Sequence, residues 1–362
     1  MCEFDRGAFV REVNIKSWST HPSLEHSHER GAGLWASIHS FFTPGHQWEQ
    51  PVRDSERMEK DIRLVTDAIR AMPQLCKCSL GCEDESYHPR FYRALLTPIF
   101  FAHIKDNLHS LALNVPPEVL HVMPSVDMPR LESLSVGLCT NKKAEEEINR
   151  IFDSFVVFVN NLLGSLESLS IASRAPSQSL KLDRFFKMLG TFPHLQSFSL
   201  SIPFDGSHLS SPDQVVNFLN KHRHMLKHLR LHASRCLPVD TPVDADSKYW
   251  IPNTLTRLSM ISYPQLYDLD LAVRPMMMDL TPLIRFFELQ ALDSLTLTER
   301  ALTYDEVKAI LDVTCKHPRG LKQLRLRVKY LNLDLLELLA RMVPRLSLLE
   351  LKFGETRSTV SV

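Results

Sequence analysis

The chain has 362 residues, 44% of them hydrophobic, with 42 Lys plus Arg against 42 Asp plus Glu. That neutral balance argues against nucleic acid or an anionic membrane as the main partner, and 11 Gly with neither GxGxxG nor GxxxxGK[ST] argue against a phosphate-cradling loop. Seven irregularly spaced Cys, no signal peptide in the first ten residues and no apolar run near ~18 residues point to a cytoplasmic or nuclear setting without a membrane.

From the N-terminus, the first element is a weak apolar alternation at Val10–Ile15 (VREVNI), which reads as a strand. No capping element precedes it, so a further segment before Met1 is expected in the natural protein. Residues 21–57 are irregular, although Trp35, Ile38, Phe41 and Phe42 fit one helical face and could hide another repeat. Residues 58–72 spell an amphipathic helix with Ile62, Val65, Ile69 and Met72 on one side.

From Leu75 onward one phrase, L-x-x-L-x-L, returns repeatedly. It stands at Leu75–Leu80, Leu108–Leu113, Leu131–Val136, Leu166–Ile171, Leu195–Leu200 and Leu226–Leu231. It continues at Leu255–Met260, Leu266–Leu271, Leu292–Leu297, Leu321–Leu326 and Leu346–Leu351. Its last two apolar positions alternate with polar ones, the period-two signature of a strand. The mean step is about 27 residues, a solenoid-like period. One step, from Leu255 to Leu266, is too short to hold a helix, so it marks a local irregularity or a false match.

Helical patterns fill the other steps. Lys143–Leu163 is long, with a charged start. Ser211–His222 opens with Ser211 as N-cap and Pro212 at the first helical position. Thr303–His317 begins with a capping box of Thr303 and Glu306. Leu333–Met342 is short and stops near Pro344. Cys236–Ile251 reads as a surface loop, and the tail after Phe353 as frayed. Strand, helix and returning parallel strand, repeated, predict an α/β solenoid: a curved horseshoe with a parallel inner sheet and outer helices. The expected division is 1–74 irregular repeats with a loop excursion, 75–353 solenoid and 354–362 tail.

Several motifs invite chemistry. CKCSLGC at Cys76–Cys82, with His88, suggests a metal, but Cys78 falls on a core-facing position and the spacing is not a zinc pattern. In KHRHMLKHLRLH, strand geometry sets His228 and His232 about 13 Å apart. That is too far to share a metal, and the stretch reads as a solvated basic face carrying His222 and His224. VPPEVLHVM at Val115–Met123 looks like the opening of an F-box, yet the next repeat follows too soon, so it reads as a linker. Neither GxSxG nor HExxH is present. No enzyme, cofactor or metal is expected.

The inner face should display positions 3, 5 and 7 of each phrase. Three consecutive phrases present Ser133, Ser135, Gly137; Ser168, Ser170, Ala172; and Ser197, Ser199, Ser201. A basic strip of His228, Arg230 and His232 follows, then Arg257 with Ser259. Next come an acidic strip of Asp268 and Asp270, then Ser294, Thr296 and Thr298, and a second basic strip of Arg325 and Arg327. The small floor admits a close partner and the strips set its register by charge. The expected ligand is a protein, acidic or phosphorylated where it meets the basic strips.

MPRLESLSV, FPHLQSFSL and VPRLSLLEL resemble the repeats of leucine-rich-repeat proteins. Their Pro-x-Leu entry and uneven lengths are similar to fungal F-box/leucine-rich-repeat proteins, in which an FVREVNI-like strand often follows the F-box. This resemblance implies the substrate-recognition part of an SCF-type ubiquitin-ligase adaptor. A Skp-type adaptor would bind only through an F-box lying outside this chain. The alternative is an enzyme regulator on the same scaffold, such as a GTPase activator or an inhibitor.

Overall fold

A computed structural model of the chain describes residues 9–17, 51–82, 96, 103–115, 117–123, 126–138, 145–173, 180–203, 208–233, 247–273, 279–317 and 320–356. Eleven strands form one parallel sheet whose spatial order equals their sequence order. These are β1 (Glu12–Ser17), β2 (Lys77–Cys82), β3 (Ser110–Val115), β4 (Ser133–Leu138), β5 (Ser168–Ser173) and β6 (Ser197–Ile202). They continue as β7 (His228–Ala233), β8 (Asp268–Ala272), β9 (Ser294–Leu302), β10 (Gln323–Leu331) and β11 (Leu348–Thr356). The result is the α/β, solenoid-like arrangement that the phrase requires.

The phrase explains each rung. From β2 to β10 positions 4 and 6, such as Leu134 and Val136 or Leu169 and Ile171, are buried, while positions 3, 5 and 7 are half-buried across β3–β6 and exposed at Lys77, Arg230 and Arg325. One fully buried Leu is worth roughly 1.5–3 kcal/mol over an exposed one. A rung alone cannot bury its apolar face, so that gain appears only when rungs stack. The stacking repeats one hydrogen bond. The carbonyl at position 2 of each rung accepts the amides of positions 2 and 3 of the next, as Glu132 does from Glu167 and Ser168, and Glu167 from Gln196 and Ser197. The same atom serves from Arg11 through to Lys322 without a slip.

Helices cover the apolar face. They are α1 (Pro51–Arg70), α2 (Glu145–Asn161), α3 (Leu182–Met188), α4 (Asp213–Lys221), α5 (Ser247–Leu258), α6 (Thr281–Phe287), α7 (Tyr304–Thr314) and α8 (Leu333–Met342). From α2 to α8 each packs on the next. Short 3-10 helices at His103–Asp106 and Pro117–Val122 serve the steps on either side of β3. The second occupies the expected linker and buries Val119 and Leu120. A layer of Phe joins α2, α3 and α4 to the sheet. Phe155 stacks on Phe185 at 5.9 Å, and Phe198, at position 4 of β6, meets Phe218 at 5.2 Å.

The capping box of α7 forms as its spelling predicts: Thr303 Oγ1 accepts from the Glu306 amide and Glu306 accepts from the Thr303 amide. Asn332 caps α8 through the Leu335 amide at 3.0 Å. At α4, Ser211 Oγ accepts the Asp213 amide at 3.2 Å, with Pro212 as the half-helical residue before the first turn.

Four expectations need correction. The Leu255–Met260 phrase is not a strand; it lies at the end of α5 and beyond. Leu255 and Leu258 are buried with Ile251 and Thr254 at helical spacing, and Met260 is 81% exposed. The start of the same helix, Ser247–Ile251, replaces the end of the expected loop, whose remaining residues lie outside the described ones. At the C-terminal edge, β11 runs past Phe353: Glu355 and Thr356 pair with Tyr330 and Leu331, so residues 354–356 belong to the sheet. At the N-terminal side α1 begins at Pro51, inside the stretch read as irregular, rather than at residue 58, while β1 pairs with β2 as the weak first phrase predicts. Trp35, Ile38, Phe41, Phe42 and His88 lie outside the described residues.

Candidate functional site

The helix-free face of the sheet carries the candidate surface, and strand register fixes who stands beside whom. Ser133, Ser168 and Ser197 are laterally paired, as are Ser135, Ser170 and Ser199. All are half-buried. They form the small-residue floor expected across β4–β6. Toward β1 the floor sinks into a depression of about 300 Å³, with Asn14, Ser79, Ala112, Asn114, Ser135 and Gly137 in its lining. Gly137 leaves room for Asn114 there: a Cβ at this position would come 2.4 Å from Asn114 Oδ1, and that side chain would have to turn away.

Beside the floor, β7 and β8 lie next to each other. With the Leu255 phrase on a helix, nothing separates the basic strip from the acidic one, and His228 pairs in register with Asp268 and Arg230 with Asp270. The side chains follow the backbone. His228 Nδ1 donates to Asp268 Oδ2 at 3.0 Å, and the Tyr267 hydroxyl meets His228 Nε2 at 3.0 Å. Arg230 Nε donates to Asp270 Oδ2 at 2.9 Å, and His232 Nε2 to Asp270 Oδ1 at 2.7 Å. Asp270, only 16% exposed, holds two neighbours at once. The two strips are therefore joined by hydrogen bonds and by the Arg230–Asp270 ion pair, and meet a ligand as one paired surface rather than as separate strips.

Arg257 does not line this face. It is an exposed residue of α5 that pairs with Asp213 of α4 on the helical side, and Ser259 donates to the Thr256 carbonyl at 2.7 Å. On the second basic strip, Arg325 Nε reaches Glu350 Oε2 at 3.3 Å, while Arg327 is exposed and stands in register with Lys352. Between the strips β9 bulges, its register with β10 shifting between Leu326 and Val328 and Glu299 held at φ 70.

Two residues carry roles that their spelling hid. Tyr267 precedes β8 at position 2, and only the adjacency of β7 reveals its contact with His228. His222 belongs to no basic face: it is fully buried, accepts the Phe192 amide on Nε2 at 2.9 Å and donates from Nδ1 to the Phe218 carbonyl at 2.7 Å. Both nitrogens are committed, so the ring is neutral, and burial holds its pKa below the usual histidine value. Cys78 lies in the core as its position required, with burial pushing the thiol up to about 12. Among the described residues, no group of three His, Cys, Asp or Glu side chains is placed to hold a metal ion, and no helix is long and apolar enough to cross a membrane.

No protein-family model and no curated protein matches the chain.

Proposed function

We propose that the chain is a non-catalytic protein-binding scaffold of the leucine-rich-repeat kind, with the helix-free face of its sheet as the ligand surface. The observation that supports this most is the row of small, half-buried side chains in unbroken register across β4–β6, beside the compensated charges of β7 and β8. A floor of Ser and Ala lets a polypeptide come close to the backbone and lay its larger side chains there. The paired His–Asp and Arg–Asp groups then offer donors and acceptors in fixed positions, which gives specificity without strong net attraction. Arg327 provides exposed positive charge at one end of the face, beside Lys352, whose Nζ also reaches Glu350 Oε1 at 3.5 Å. An acidic or phosphorylated ligand segment would lie there and not over His228 and Arg230.

The resemblance of the Pro-x-Leu repeats extends this reading to the substrate-receptor part of an SCF-type ubiquitin-ligase adaptor. Recruitment of a Skp-type adaptor would then fall to a segment other than the described repeats.

The test is site-specific photo-crosslinking. A benzophenone side chain at Ser170 or Ser199 should capture protein partners from cell extract, and the same group at Glu146, exposed on α2, should not. Equal capture from both faces, or none from the floor, would overturn the assignment.

A further inference from the structure

The outer edge of β11 breaks the burial pattern of the rungs from β2 to β10. Position 4 is 0% exposed at Leu295 and Leu324 but 41% exposed at Leu349, and Phe353 is 46% exposed. On α8, which precedes β11, Leu336 is 42% exposed and Leu333 59%. Among the described residues no strand lies beyond β11. The Leu348 amide donates to Lys322 on the β10 side, so by alternation Leu349, Leu351 and Phe353 turn their amides and carbonyls outward. An apolar strip and an unpaired ladder thus share one edge, the feature through which sheets associate.

The order of residues along that edge selects the partner. In Leu349-Glu350-Leu351-Lys352-Phe353, reversal about Leu351 places Leu349 opposite Phe353 and Glu350 opposite Lys352. Leu348 falls opposite Gly354, which has no side chain to clash. The sequence is complementary to its own reverse in both apolar character and charge. The outward-facing residues are the ones that an antiparallel ladder joins by hydrogen bonds, leaving Glu350 and Lys352 in the closer pairs without backbone bonds. We propose that β11 pairs antiparallel with β11 of a second copy, about a two-fold axis at Leu351, to form one continuous sheet. A two-fold axis normal to the sheet keeps both helix-free faces on one side and the helices of both copies on the other. The contact is isologous and closes at two copies.

The test is sedimentation equilibrium on the whole chain from ~1 to ~100 µM, because dimer stability depends on protomer concentration. The wild-type mass should rise toward twice 41.5 kDa. Lys352→Glu, which sets Glu against Glu across the axis, should weaken association at least about tenfold. Glu350→Lys with Lys352→Glu should restore it, with all three proteins melting cooperatively. A chain that stays monomeric, a dimer indifferent to Lys352→Glu, or a swap that fails to rescue would each overturn the proposal.

Discussion

Arg230 and Asp270 stand opposite each other on adjacent strands, and the guanidinium Nε donates to the carboxylate at 2.9 Å. The same carboxylate also holds His232, so one acidic side chain cancels much of a basic strip. Replacing Asp268 and Asp270 together by Asn should therefore uncover the positive charge. An oligoglutamate peptide that the wild-type protein ignores should bind the variant at low salt, by fluorescence anisotropy, and release as salt is raised. Urea unfolding should show a loss of about 1–3 kcal/mol from the weakened pairs. Equal peptide binding by both proteins would mean that the strip was open from the start.

His222 should make stability depend on pH in one direction. Its pKa is lowered in the fold by burial, so the unfolded chain accepts a proton that the native ring refuses. The contribution is complete above the unfolded value of about 6.5 and is lost as pH falls below it, by at most about 1.4 kcal/mol per pH unit. Urea midpoints between pH 7.5 and 5 should fall more steeply for the wild type than for His222→Gln. The variant should be less stable at pH 7.5, because a Gln amide can serve the Phe192 amide or the Phe218 carbonyl but not both in the ring's geometry, and it loses the ring contacts with Phe192 and Phe218.

The two ends of the Leu255–Met260 phrase should respond oppositely to truncation. Leu258→Ala empties a fully buried site on α5 and should cost about 2–5 kcal/mol. Met260→Ser alters an exposed side chain and should change stability by less than about 0.5 kcal/mol. Strand geometry would instead bury both, Leu258 at position 4 and Met260 at position 6, and make the Met260 change costly as well.

Cys78 should resist alkylation. Its thiol is buried and its pKa raised to about 12, so at pH 8 almost no thiolate exists to react. Mass spectrometry after brief iodoacetamide treatment should find the peptide containing Cys78 unmodified at that residue until denaturant is added.

These cases show what the spelling carried. Eleven strands were readable because a rung needs apolar side chains at positions 4 and 6, and that demand survives even in VREVNI. The misread phrase at Leu255 has a physical cause: L-x-x-L is also the i, i+3 spacing of a helix face. Only Met260, left in solvent, separates the two readings. That single error also hid the pairing of the charged strips, because a spurious strand stood between them. The floor of Ser168, Ser170, Ser197 and Ser199 was legible because it depends on position within a rung alone. The contacts of Tyr267, Asp270 and His222 were not, since each depends on which element becomes its neighbour. The burial of His222 in particular follows from Phe192 and Phe218, which one-dimensional spacing does not bring together.

The shared carbonyl at position 2 gives the chain a modular grammar. Excising residues 168–196 would bring Glu167 directly before Ser197, so that the carbonyl of Glu132, rather than that of Glu167, receives the next rung at the same atom. Every later register would stay intact, with only the seam between α2 and α4 to repack. A molecule joined this way can gain or lose whole units without shifting the ladder, and because only the position-2 carbonyl is shared, the chain between two rungs can be of any length.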